Sequence, residues 1–259
     1  MPDQPNPVAV GVSVLRSRRV RRPDPQGTET VDHAPLAEIL GAVASSGPRA
    51  LGELRPDIDA YVDTLAAVDP DDLDLTGAQA YWLNLYNAGA LGVASQAYVE
   101  GSPTVLRIPG AFSRPWVEIA GEGLSLDDIE HGKVRRFRDP RIHAALVCGS
   151  ASCPTLRYEP YRGDSLDAQL DSQMRSFVTS GAVVLGEEAT KVSMSRIFLW
   201  YGRDFTHPHL MPGIGTSDAS LVRDTVAYWL PPDERRQVWA NAPDVEFQDY
   251  DWGLSCTVA

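Results

Sequence analysis

The chain has 259 residues and a mass of 28.2 kDa, with 43% hydrophobic and 22% charged residues. That length supports a core without disulfide staples, and the composition excludes wholesale disorder, collagen and coiled coil. A formal net charge of −12 sets most of the surface against phosphate, so nucleic acid is not expected as a partner of the folded body.

Residues 1–27 read as a disordered tail rich in proline and arginine, and 28–259 as a single globular domain. Arg16, Arg18, Arg19, Arg21 and Arg22 fall within seven positions of that tail. Only Asp3 and Asp24 oppose them, so the remainder carries 18 basic against 33 acidic residues. Such a cluster suits either an electrostatic tether to an acidic partner or a solvated leader that touches the acidic body. No apolar run of signal-peptide length follows a basic start, and three cysteines are too few for a secreted disulfide framework. The chain therefore reads as soluble and cytoplasmic.

Leu36, Ile39, Leu40 and Val43, then Ile58, Tyr61, Val62 and Leu65, recur at helical spacing and predict two amphipathic helices. The acidic run Asp69, Asp71, Asp72 and Asp74 precedes a stretch from Thr76 to Val99 with no charged residue. Negative charge at a helix N-terminus explains the run. The uncharged stretch is long enough to span a bilayer. Its amides Gln79, Asn84, Asn87 and Gln96 would be unsatisfied in lipid, so a helix buried in a protein core is expected and no transmembrane segment. Asn84 and Asn87, three apart on one flank, must hydrogen-bond either in a polar pocket or to a neighbouring loop.

Short extended pieces with turns are expected from Ser102 to Gly121, and SLDDIEHGKVRRF then reads as a helix. Ser125 and Asp128 make a capping-box variant at its start. A wheel at about 100° per residue puts Glu130 inside the apolar arc of Leu126, Ile129, Val134 and Phe137. A carboxylate so placed needs a partner, and Lys133 is the nearest candidate. His131 falls on the flank of that arc.

RIHAALVC reads as a strand, in which His143 and Cys148 face opposite ways. Three readings of the cysteines compete: Cys148 as a thiolate nucleophile served by His131 or His143, Cys148 and Cys153 as a redox-active pair, or two inert packing residues. No metal is expected, since the two cysteines lack a second ligand pair and His207 and His209 lack a third ligand. Further on, SLDAQLDSQMRSFV reads as a helix and VSMSRIFLWYGRDF as ambiguous. Ser217 to Leu230 make another helix, and VEFQDYDW a last strand. Many helices with few strands and no repeating βα unit predict an α+β fold with a small, mostly antiparallel sheet.

In order along the chain, AYWLNLYNAGAL, LSLDDIEHGKVR, DPRIHAALVCGSASCPTLR, SRIFLWYGRDF and YDWGL resemble the family named domain of unknown function 547. The resemblance runs from roughly residue 36 to residue 254. Its polar positions fall on Asn84, Tyr86, Asn87, Glu130, His131, His143, Cys148, Cys153, Tyr201, Asp204, Tyr250 and Asp251. Ser255 stands where the family usually has Asn. The resemblance implies no established activity, but it implies one pocket shared by Glu130, His131, His143 and Cys148. A His before a Cys is also similar to the order of circularly permuted papain-like enzymes.

Two functions follow as expectations. One is a thiol-dependent acyl-transfer enzyme or amide hydrolase without cofactor, with Cys148 as nucleophile, His131 or His143 as base and Glu130 as orienting acid. Asn84, Tyr86, Asn87, Cys153, Tyr201 and Asp204 would bind its substrate. The other is a non-catalytic module for a small-molecule or peptide ligand, in which the same polar motifs hold the fold.

Overall fold

The computed structural model describes residues 7–17 and 19–258. Two compact units divide them. The first takes the chain up to Phe137, then Leu146–Leu166 and the segment from Asp251; the second takes Arg138–Ala145 and Asp167–Tyr250.

In the first unit, α1 (Pro7–Ser17) is followed by α2 (Ala34–Ser46), α3 (Arg55–Ala66) and α4 (Leu75–Val99). Part of the segment expected as a disordered tail is thus helical. Both α2 and α3 bury the faces their spacing defines, Leu36, Ile39, Leu40 and Val43 on one and Ile58, Tyr61, Val62 and Leu65 on the other. Helix α4 is buried on nearly every side, as a helix without a polar face must be. Its start is fixed by Asp74, whose carboxylate accepts from Gly77 N at 2.6 Å. Among the described residues no helix is long and apolar enough to cross a membrane.

A hairpin follows, β1 (Val117–Ile119) antiparallel to β2 (Glu122–Leu124). Its two-residue turn, Ala120 and Gly121, has left-handed backbone at both positions, the twist that tight hairpins prefer. Trp116, just before it, lies so close to α4 that a Cβ on Gly89 would come within 2.3 Å of the indole.

The expected helix at Ser125 begins with the expected capping box: Ser125 Oγ accepts from Asp128 N at 3.1 Å, and Asp128 Oδ2 accepts from Ser125 N at 3.1 Å. Beyond the cap, Asp128–Lys133 winds as a π-helical turn and Val134–Phe137 as a 3₁₀ turn. All six residues of the π turn are buried, so a wheel with one apolar arc does not describe it. The expected partner of Glu130, Lys133, turns elsewhere: its ammonium donates to Glu122 at 2.7 Å and to the Arg21 carbonyl at 2.7 Å.

The second unit opens with α5 (Ile142–Ala145), where a strand was expected. The reason is local. Asp139 Oδ1 accepts from Arg141 N at 2.9 Å and Pro140 presets the next backbone angle, which together start a helical turn. The short run Ile142 to Ala145, with two alanines in it, does not impose a strand against such a start. Helix α6 (Leu166–Phe177) lies mostly in this unit and runs where its pattern placed it. Next come β3 (Val183–Leu185) and β4 (Lys191–Met194). The ambiguous segment resolves into β4 followed by α7 (Arg196–Trp200) and α8 (Gly202–Thr206). Then come α9 (Ala219–Val226), α10 (Pro232–Asn241) and β5 (Asp244–Phe247). Strand β4 is central, antiparallel to β3 and parallel to β5. Met174, Phe177, Val192, Met194, Phe198, Phe205, Val222 and Val226 form the core of this unit. The fold is α+β and helix-rich, with small two- and three-stranded sheets.

Candidate functional site

Each expected site residue belongs to one of four local arrangements. On α4, the Asn84 side chain donates to the Tyr161 carbonyl at 2.8 Å and accepts from Tyr161 N at 2.9 Å, satisfying one residue's backbone from both ends of the amide. Asn87 Oδ1 accepts from Val147 N at 3.0 Å. Of the two roles open to these amides, the structure shows the binding of neighbouring loops.

The second arrangement is Tyr86, Glu130, His131 and Arg135. Tyr86 Oη lies 3.5 Å from Glu130 Oε2 and donates to it. Arg135 Nη1 lies 3.2 Å from His131 Nδ1, and Glu130 Oε1 lies 3.4 Å from the same nitrogen. The two contacts fall on one ring nitrogen, which accepts from Arg135 in one tautomer and donates to Glu130 in the other. Arg135, four residues after His131, is the member that the sequence reading missed, and i,i+4 spacing is the signal that would have found it.

Cys148 and Cys153 form the third, joined as a disulfide with Cα atoms 6.4 Å apart. Cys148 N donates to Cys153 Sγ at 3.1 Å, and Ser150 Oγ sits 3.1 Å from Cys148 Sγ. Gly149 makes the turn between them with φ 81°. The chain's last segment staples this loop: Ala151 N donates to Gly253 O, Ser152 N to Asp251 O, and Ser152 Oγ accepts from Asp251 N at 2.8 Å. These bonds use the main chain of Asp251; its carboxylate accepts from Gly253 N at 2.8 Å. Cys256 is buried, and burial pushes its thiol up to about 11.

The fourth lies in the second unit. His143 Nε2 is 2.9 Å from Asp204 Oδ2, and both side chains are almost wholly buried. Gly213 N donates to the other carboxylate oxygen at 2.9 Å. The Tyr201 ring stacks on the imidazole with centroids 3.9 Å apart and planes 23° from parallel. A carboxylate that accepts from Nε2–H leaves Nδ1 as the ring's proton acceptor, the arrangement of an oriented base. Among the described residues, no group of three His, Cys, Asp or Glu side chains is placed to hold a metal ion. A cavity of about 270 Å³ between α2 and α3, floored by Ile39, Leu54 and Tyr61, includes none of the expected site residues.

The stretch that carries three of these four arrangements also carries the resemblance. Residues 70–178 match the family model described as "Protein of unknown function, DUF547". The match takes in Asn84, Tyr86, Asn87, Glu130, His131, His143, Cys148 and Cys153. It ends before Tyr201, Asp204, Tyr250 and Asp251, and so covers less than the span from 36 to 254 expected from the motifs. No curated protein and no solved structure matches the chain.

Proposed function

We propose that this protein is a cysteine-dependent acyl-transfer enzyme or amide hydrolase, with Cys148 its nucleophile once a thiol reductant has opened the bond to Cys153. A histidine, His143 or His131, takes the proton of the Cys148 thiol as its sulfur attacks an acyl carbonyl. That proton leaves with the amine or alcohol as the carbon–heteroatom bond breaks, and a thioester remains on Cys148. Water or a second acceptor then attacks the thioester and restores the thiol. What supports the reading most is the buried His143–Asp204 pair. Holding an imidazole against a carboxyl group, with one face stacked on a tyrosine, fixes its orientation and ring plane as a general base requires.

The reduced full chain, mixed with p-nitrophenyl acetate, tests this. Expected are a burst of p-nitrophenolate and one acetyl group on Cys148 by peptide mass. Cys148→Ser should abolish it. Asp204→Asn should shift its pH profile if His143 is the base, and His131→Gln should do so if His131 is. Acetylation confined to surface amines, or a burst indifferent to Cys148→Ser, overturns the proposal.

The disulfide and the two loop-binding asparagines favour a second reading, a binding module whose polar residues hold the fold. It predicts that, even after reduction, Cys148 reacts with iodoacetamide only above about pH 8 or after unfolding.

A further inference from the structure

We propose that the outward face of α1, with the arginines that follow it, is a docking surface for an anionic lipid bilayer. Two faces of α1 are separable from Val12 onward. Ser13, Val14 and Ser17 turn inward: Ser13 Oγ donates to Asp127, Ser17 Oγ donates to Asp128 Oδ1 at 3.2 Å, and Val14 is buried. Backbone and turn come close here, since a Cβ on Gly132 would stand 3.0 Å from the Ser17 carbonyl. The helix is thus seated on the first unit along one face. Val12, Leu15 and Arg16 share the opposite arc, about 100° wide at helical spacing. Val12 is 59% exposed and Leu15 54%, and Arg16 is exposed beside them.

Arg19 and Arg22 follow, both exposed, and with Arg16 they make no ion pair among the described residues. Arg21 differs: its guanidinium lies 3.3 Å from Asp69 and 3.1 Å from Asp71. Three uncommitted guanidinium groups beside two exposed aliphatic side chains match the chemistry of a bilayer interface, where the aliphatics enter the acyl boundary and the cations meet anionic headgroups. A nucleic acid would satisfy the arginines and gain nothing from Val12 and Leu15. The acidic remainder of the chain makes the attraction local, so neutral lipid should not suffice.

Sedimentation of the full chain with vesicles tests this, using phosphatidylcholine alone or mixed with phosphatidylserine. Binding is expected only to the mixed vesicles, and high salt should release it. Replacing Arg16, Arg19 and Arg22 together by Gln should weaken it by more than roughly tenfold. The pair Val12→Ser and Leu15→Ser should weaken it at unchanged charge, and neither variant should lower the melting temperature. The proposal is overturned if wild-type chain stays in solution with the mixed vesicles, binds both kinds equally, or keeps its affinity in the arginine variant. Binding to duplex DNA in place of the vesicles also overturns it. The lipid and salt arms use only wild-type chain, so they decide the matter even if a variant folds poorly.

Discussion

Asn84→Ala separates a scaffold asparagine from a substrate-binding one. Asn84 is 1% exposed, and its amide makes two hydrogen bonds, at 2.8 and 2.9 Å, to the backbone of Tyr161. Truncation leaves a buried N–H and a buried C=O without their partner, at about 1–3 kcal/mol each. The expected loss is therefore about 2–6 kcal/mol, a large share of a typical stability of about 5–15 kcal/mol. A urea denaturation series reads the total, and amide hydrogen exchange at Tyr161 reads the cause. The Tyr161 amide should be protected in the wild type and exchange orders of magnitude faster in the variant. Asn84→Asp should cost more than Ala, because the new oxygen faces the Tyr161 carbonyl and brings a charge into a buried site. A variant within about 0.5 kcal/mol of wild type, the range of neutral surface changes, would refute the reasoning. So would unchanged protection at Tyr161. A substrate-binding Asn84 would instead lose activity at constant stability.

Asp127 carries a pH dependence. Burial, opposed by the Ser13 hydrogen bond and aided by Glu130 and Asp128, pushes its carboxyl up to about 7. The native state then binds the proton more tightly than the unfolded state, so stability falls as pH rises from about 4 to about 7. Asp127→Asn keeps an acceptor for Ser13 and should flatten that slope in urea midpoints measured across the range; an equal slope in both proteins would contradict it. Gly89→Ala would set a methyl 2.3 Å from the Trp116 ring. It should cost about 1–3 kcal/mol in thermal melts, and a neutral result would mean that Trp116 moves freely.

What the sequence made legible is what its local chemistry decides. The burial of α4 follows from its lack of charge, its start from Asp74, and the turn at Ser125 from a side chain three residues on. The same proximity decides α5, where Asp139 and Pro140 begin a helical turn against the apolar alternation of Ile142 to Cys148. Parity on a strand then loses its force, and with it the reason for facing His143 and Cys148 opposite ways. Glu130 was rightly expected to be buried, but its neighbours were not legible. The π-helical turn changes the angular step and brings Tyr86 and His131 to it, while Lys133 turns to Glu122. The helical part of the arginine-rich segment escaped notice because one face of α1 is stabilised by Asp127 and Asp128, more than a hundred residues away in the chain.

A buried polar side chain has two explanations, and the sequence shows only the residue type. Hydrogen bonds separate them. Asn84 uses both ends of its amide on one backbone residue, a complete exchange that holds a loop and needs no ligand. Asp251 differs, since its bonds to the loop between the cysteines are made by its main chain and any residue there could make them. His143 is different. Asp204 and Tyr201 fix one ring nitrogen and one ring face, and 61 positions separate His143 from that carboxylate, so no local pattern announces the pair. A fold that needed only packing there would be served as well by an apolar ring, since replacing a buried polar pair by apolar groups of similar shape is nearly neutral. The pair is therefore where the proposed chemistry rests, and removing Asp204's charge while keeping its shape bears most directly on it.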